Sequence, residues 1–211
     1  MRGSRLYLRW LSLLGACRFD LVALNTLRGD PPLILAPNHP SLLDAILVIS
    51  RFPDLVCVIK AGLFRNPMLG PAVRLARYIP NDSVAGTIRQ AGGNLAQGSH
   101  LLLFPEGTRT SQRPLGPLKG SVGLISHRYG VAVQTLLIET DSGYLGKGWS
   151  LLRPPRMPVR YRVRLGRRFD PPEDVRAFTA ELEVYIREEL SGASGLDAAL
   201  GAGRPATPAI G

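Results

Sequence analysis

His39 and Asp44 stand five residues apart in Asn38-His39-Pro40-Ser41-Leu42-Leu43-Asp44, and Glu106, Gly107, Thr108 and Arg109 follow Pro105 some sixty residues later. An imidazole beside a carboxylate is held in one tautomer, and its protonated form is stabilised. It can then accept a proton from a hydroxyl, a service worth on the order of 10²–10⁴ in rate. The second group offers a carboxylate, a glycine free to take positive φ, a hydroxyl and a planar guanidinium suited to phosphate. Lys119 adds a second cation. Taken alone, each group has a plain alternative. His39 and Asp44 suit a helix cap with an acid near the positive end of the helix dipole, and the second group suits an ordinary turn with solvated charges.

Both groups follow apolar runs, Leu33-Ile34-Leu35-Ala36 and Leu101-Leu102-Leu103-Phe104. Polar groups delivered at the ends of buried strands are where open α/β sheets build sites. Pro40 suits a first helical turn, which leaves His39 at or just before the cap. Further strands are expected over Leu55 to Ile59 and Val131 to Ile138, and helices over Leu42 to Ser50, Pro67 to Leu75 and Ser83 to Ala96. This alternation predicts an α/β fold, a single domain with a central mostly parallel or mixed sheet flanked by helices. Val159 to Leu165 alternates strictly and reads as a half-buried strand. Arg153 to Arg168 holds seven arginines and no acid. That stretch is either a solvated face or a docking surface for an anionic membrane or an acidic carrier protein. A final helix is expected from Glu173 to Leu190, with Val175, Phe178, Leu182 and Ile186 as its stripe. His100 and His127 have no partner motif and read as surface or structural.

The 211 residues carry a formal charge of +10 and a pI of about 10.4, with 45% hydrophobic and 20% charged residues. This is a globular composition with a preference for anionic partners. Aromatics make up 7% and do not interleave with the basic stretches, which argues against nucleic acid. Cys17 and Cys57 form neither a disulfide framework nor a metal motif, and a reducing cytoplasm suits them. No run reaches the roughly twenty apolar residues that span a bilayer. Arg2, Arg5, Arg9 and Ser12 fall on one helical face, and Leu6, Leu8, Trp10, Leu11, Leu13 and Leu14 cover the rest. That is the pattern of a helix lying in a membrane interface. Packing against the core is the alternative, and a signal peptide fits less well because Arg9 interrupts the apolar run. The expected organisation is an interfacial segment over 1–28, a catalytic domain over 29–190 and a disordered Gly/Ala/Pro tail over 191–211.

The order and separation of the two blocks resemble the glycerolipid acyltransferase family, enzymes that acylate lysophosphatidate and related acceptors. The resemblance covers roughly Pro31 to Thr140. It implies His39 and Asp44 as the catalytic pair, and Glu106, Gly107 and Arg109, with Thr108 and Lys119 beside them, as acceptor-binding residues. The donor would be an acyl thioester of coenzyme A or of acyl carrier protein, with no metal and no further cofactor. Because a thioester is already activated, one direct displacement by a hydroxyl suffices. Membrane lipids and acyl carrier protein are the expected partners, and the cytoplasmic face of the inner membrane is the expected location. Lys60 to Phe64 and Pro67 to Gly70 match a further family run. The family also places an arginine that contacts glycerol phosphate where this chain has Asn81, after Tyr78-Ile79-Pro80. A proline usual in a fourth motif is replaced at Gln134 or Thr135. These departures leave the transfer chemistry intact and point to an acceptor other than lysophosphatidate, such as a lyso-aminolipid, a glycolipid or another hydroxyl carrier. The alternatives on the same fold are a non-catalytic lipid-binding module, against which the intact His39 and Asp44 argue, and a thioesterase-like hydrolase in which water replaces the acceptor.

Overall fold

The computed structural model describes residues 2–60, 78–81, 83–112, 114–150 and 153–201. Its seven strands form one sheet in the order β1-β7-β6-β2-β5-β3-β4. They are β1 (Cys17–Asp20), β2 (Ile34–Pro37), β3 (Leu55–Lys60), β4 (Ile79–Asn81), β5 (His100–Leu102), β6 (Val133–Thr140) and β7 (Val159–Phe169). The five strands from β6 to β4 run parallel. β7 lies antiparallel to β6, and β1 runs parallel to β7 at the edge. The sheet is therefore mixed.

Alternation along each strand sends side chains to two separate cores. Leu33 and Leu35 meet Leu24, Leu47 and Phe52 on one face, together with Leu8. The elements there are α1 (Arg2–Leu13), a 3-10 helix (Val22–Gly29) and α2 (Asp44–Ile49). Ile34 and Ala36 face Leu95, Ile125, Phe178 and Leu182 on the other. These come from α3 (Val84–Ala96), α4 (Ser121–Tyr129) and α5 (Val175–Gly201). Burial on both faces explains why the parallel strands read as continuous apolar runs.

Several boundaries differ from expectation. Residues 17–28, grouped by sequence with the N-terminal segment, belong to the sheet domain. β1 pairs with β7, and Leu21, Leu24 and Leu27 are buried. The chain at Tyr78 to Asn81 forms a parallel edge strand on β3, a position that tolerates Pro80. α4 was not anticipated; it opens at Gly120 and closes at Gly130, whose φ is +63°. The tail was expected to lose structure from Ser191, yet α5 continues to Gly201. Ala, Leu and Asp dilute the glycines of that stretch enough to propagate a helix already nucleated upstream. The expected helix over Pro67 to Leu75, the family-like run Lys60 to Gly70 beyond Lys60 itself, Asp82 and residues 202–211 lie outside the described residues.

None of the described helices is long and apolar enough to cross a membrane. α1 has one side packed on the core and another left exposed. Leu8 is buried and Leu11 packs against the core, while Leu6, Tyr7, Trp10, Leu13 and Leu14 stay exposed on the side turned away from the sheet. Arg5 Nε donates to the Ser50 carbonyl at 2.7 Å and ties the helix to the end of α2.

Candidate active site

β2 ends at Pro37, and the next side chain continues the sheet in its place. Asn38 Nδ2 donates to the Ile138 carbonyl at 2.9 Å, and its Oδ1 accepts the Ile138 N–H at 2.7 Å. A side-chain amide thus copies a ladder pair on β6. This fixes the turn that carries His39 to the carboxyl end of the sheet. The expected helix start at Leu42 is displaced, because Pro40 to Leu43 form a turn and α2 begins at Asp44.

His39 Nδ1 lies 2.9 Å from Asp44 Oδ2. The Asp44 carboxylate is fully buried, and the His39 side chain is 15% exposed. The imidazole stacks on Phe104, with ring centroids 4.0 Å apart. With Nδ1 turned to Asp44, Nε2 is the nitrogen left to exchange a proton. Asp44 Oδ2 also accepts the Ser41 N–H at 2.7 Å, whereas Oδ1 has no hydrogen-bond partner among the described residues. Burial pushes the Asp44 carboxyl above its ordinary value, and the bonds from His39 and Ser41 pull against that rise. Ser41 is itself anchored. Its hydroxyl donates to the Tyr144 carbonyl at 3.2 Å and lies 3.1 Å from the Tyr161 hydroxyl, whose pKa burial raises to about 12.

The second block meets the first. Glu106 is 4% exposed and turns inward. Its Oε1 accepts the His39 N–H at 3.1 Å and the Thr110 hydroxyl at 2.7 Å, and its Oε2 accepts the Gly116 N–H at 2.9 Å. Gly107 takes φ +65°, and a Cβ there would lie 2.9 Å from the Lys119 side chain, including Nζ. Glycine lets the lysine cross the turn. Arg109 Nη1 donates to the carbonyls of Leu145 and Gly146 at 2.9 and 3.0 Å, which staples the loop after β6 to this turn. Thr108 is half-buried in the same turn. Asn81 is not brought to this cluster. It ends the edge strand β4, exposed, with β5 and β3 between it and β2. At ordinary strand spacing that is about 14 Å across the sheet.

A cleft of about 1540 Å³ opens beside the His39 turn, lined among others by Asn38, Pro40, Thr110, Trp149, Arg160 and Tyr161. The arginines of β7 are largely matched by acids from other elements. Arg162 pairs with Asp20, Arg164 with Glu139, Arg167 with Glu181 and Arg168 with Asp30. Among the described residues no cluster of His, Cys, Asp and Glu has the makings of a metal site. His100 proves structural: it is buried, and its Nδ1 accepts the Leu33 N–H at 3.2 Å. His127 lies at the surface with Nδ1 2.7 Å from the Pro172 carbonyl.

The family model for acyltransferases matches residues 18–139, more than half of the chain and all of the His39 and Glu106 blocks. The chain belongs to the acyltransferase family. It is similar to a chloroplastic 1-acyl-sn-glycerol-3-phosphate acyltransferase of Brassica napus, 28% identical over 120 residues that cover 54% of this chain and 35% of that protein. It is also similar to the lyso-ornithine lipid O-acyltransferase of Rhizobium meliloti, 34% identical over 96 residues, 43% of this chain and 32% of that one. The chain thus spans about a third of the length of these relatives. The solved structure of the 1-acyl-sn-glycerophosphate acyltransferase PlsC of Thermotoga maritima superposes with a TM-score of 0.71 at 17% identity, covering 98% of this chain and 81% of that one. That likeness establishes the α/β fold.

Within this acyltransferase domain, the residues that sequence reasoning passed over are those that hold the named ones. Asn38 and Ser41 stood in the quoted block as turn residues; their neighbours on β6 and β7 give them their roles. Thr110 and Gly116 carried no signal at all. The substituted fourth motif has a structural use: Gln134 Nε2 donates to the Gly166 carbonyl at 2.7 Å, and Thr135 Oγ1 donates to the Arg167 carbonyl at 2.7 Å. Both bonds brace a bulge between β6 and β7.

Proposed function

We propose that this chain transfers a fatty acyl group from a thioester of coenzyme A or acyl carrier protein to the hydroxyl of a lyso-lipid. The His39–Asp44 contact at 2.9 Å, with Asp44 fully buried, carries this reading. Nε2 takes the hydroxyl proton as the oxygen attacks the thioester carbonyl. The C–S bond breaks, and the proton passes to the departing thiolate. Asp44 holds the imidazole in the tautomer that presents Nε2 and stabilises the imidazolium that forms.

Gly107, Thr108, Arg109 and Lys119 border the acceptor end of the site. The acceptor we propose is not lysophosphatidate but a lyso-lipid without a phosphomonoester, of the lyso-aminolipid type. One observation favours this: Arg109 Nη1 is committed to the backbone carbonyls of Leu145 and Gly146. The similarity to a lyso-ornithine lipid acyltransferase agrees with it, while the similarity to 1-acyl-sn-glycerol-3-phosphate acyltransferases favours lysophosphatidate, the reading the acceptor test is set against. Attachment to the bilayer is peripheral, through the exposed apolar side of α1.

The test has two parts. His39→Ala lowers turnover on the order of 10²–10⁴-fold while the protein stays folded; a near wild-type rate would remove His39 from the mechanism. Lysophosphatidate then competes with a lyso-aminolipid for one acyl thioester. The lyso-aminolipid is the preferred acceptor. One charge-assisted contact is worth roughly 10–100-fold in discrimination. A clear wild-type preference for lysophosphatidate would sink the acceptor assignment.

A further inference from the structure

We infer that Glu106 is a positioning residue for His39 rather than a ligand of the acceptor. The inference rests on His39 being the base. Glu106 has little left to offer a substrate. It is 4% exposed, both oxygens are engaged, and Oε2 lies 2.8 Å from where a Cβ on Gly116 would stand. The chain at Gly116 closes over the carboxylate and walls it off from the cleft. A glycine is needed there for the approach.

What Glu106 grips is the backbone of the base. The His39 N–H donates to Oε1 at 3.1 Å, and the Thr110 hydroxyl donates to the same oxygen at 2.7 Å. Thr110 completes the circuit, because its own N–H donates to the His39 carbonyl at 2.8 Å. Both polar backbone groups of His39 are therefore held by one five-residue segment, Glu106 to Thr110. Phe104, two residues before Glu106, supplies the surface on which the imidazole stacks. The block as a whole sets where His39 sits: Asp44 fixes the ring tautomer, Phe104 the ring plane, and Glu106 with Thr110 the main chain. An ionised carboxylate suits this position, because a charge-assisted bond is shorter and firmer than a neutral one. Placement matters, since an error of about 1 Å in a reacting group costs on the order of 100-fold.

The roles of ligand and positioner part in kinetics and in spectroscopy. Glu106→Gln keeps the shape but sets its amide against the Gly116 N–H or gives up Oε1, so the turn shifts. Under the positioning role, Glu106→Gln lowers kcat about 10–100-fold and leaves the acceptor KM within about twofold. Thr110→Val lowers kcat in the same sense, Thr110→Ser restores it, and the Glu106→Gln/Thr110→Val double variant is no worse than Glu106→Gln alone, because both act through one oxygen. Nitrogen-15 NMR of the His39 ring in the acceptor-free protein moves in Glu106→Gln and Thr110→Val and returns in Thr110→Ser. Unchanged His39 resonances in a folded Glu106→Gln protein overturn the proposal, as does an acceptor KM raised more than about tenfold at constant kcat. The spectra are read without substrate. Failure of the positioning role is thereby separated from failure of the acyl-transfer reading, which would appear as a wild-type protein inactive toward every lyso-lipid offered.

Discussion

Asp44 is placed at a cost to the fold. Its carboxylate is fully buried, one oxygen has no partner among the described residues, and desolvation dominates the upward push on its pKa. An acid whose pKa is higher in the folded than in the unfolded chain destabilises the fold wherever it is ionised. The penalty is present at neutral pH and fades as pH falls toward the ordinary carboxylate value. Asp44→Asn keeps an acceptor for His39 Nδ1 and the Ser41 N–H and removes the buried charge. It is expected to raise the melting temperature at pH 7 by a few degrees, since about 1 kcal/mol corresponds to roughly 2–4 °C in a domain of this size. The gain should shrink as pH is lowered toward 4, and acyl transfer should fall by orders of magnitude because the imidazolium that forms on His39 loses its neighbouring negative charge. Calorimetry across pH checks the first half; a melting temperature lowered at pH 7 would show that the orphaned oxygen is solvated. The pair itself was legible in the sequence, because a proline after the histidine keeps it off the helix and the carboxylate follows close by. The direction in which Glu106 points was not legible. It is decided by Gly116, ten residues on, and by His39, sixty-seven residues back.

At the scale of elements, α1 presents two apolar sides, one buried and one exposed. Leu8→Ala is expected to destabilise the protein by about 2–4 kcal/mol through the cavity left against the core. Leu13→Glu with Leu14→Glu should leave stability unchanged within about 0.5 kcal/mol and weaken binding to anionic lipid vesicles at least tenfold. Vesicle sedimentation alongside thermal melts separates the two sides; equal vesicle binding by the double glutamate variant would assign docking elsewhere. The strands at the centre of the sheet could be read from the sequence because burial on both faces turns them into apolar runs. The edges could not. β1 is Cys-Arg-Phe-Asp and β4 is Ile-Pro-Asn, short and polar, and each is a strand only because a neighbour supplies the ladder. α4 escaped for a related reason: Ser, Gly and His dilute its pattern. Its Gly123 is there for closeness, since a Cβ would meet the Phe178 ring at 2.7 Å. Gly123→Ala should therefore lose about 1–3 kcal/mol despite the better helix propensity of alanine, as denaturant titration would show.

Across the whole molecule, the order of the strands sets a schedule. Cys17 pairs with Val159, so the edge strand beside α1 waits about 140 residues for its ladder, a long loop to close and a non-local contact to make late. During synthesis at about 5–20 residues per second, α1 and β1 exist for roughly ten seconds or more before β7 does. In that interval Leu8 and Leu11 have no finished core, and the helix offers apolar surface on every side except its arginine stripe. The surface that later divides between core and exterior is then undivided, and a nearby bilayer competes with the protein's own sheet for it. The same wiring predicts that β1 and β7 open together. Hydrogen exchange should show the Arg18 to Asp20 and Arg160 to Arg162 amides losing protection in one step, at a lower free energy than the β2 and β5 amides. Independent opening of β1, with β7 still protected, would mean that α1 and β1 are held by the helices instead of by the strand they waited for.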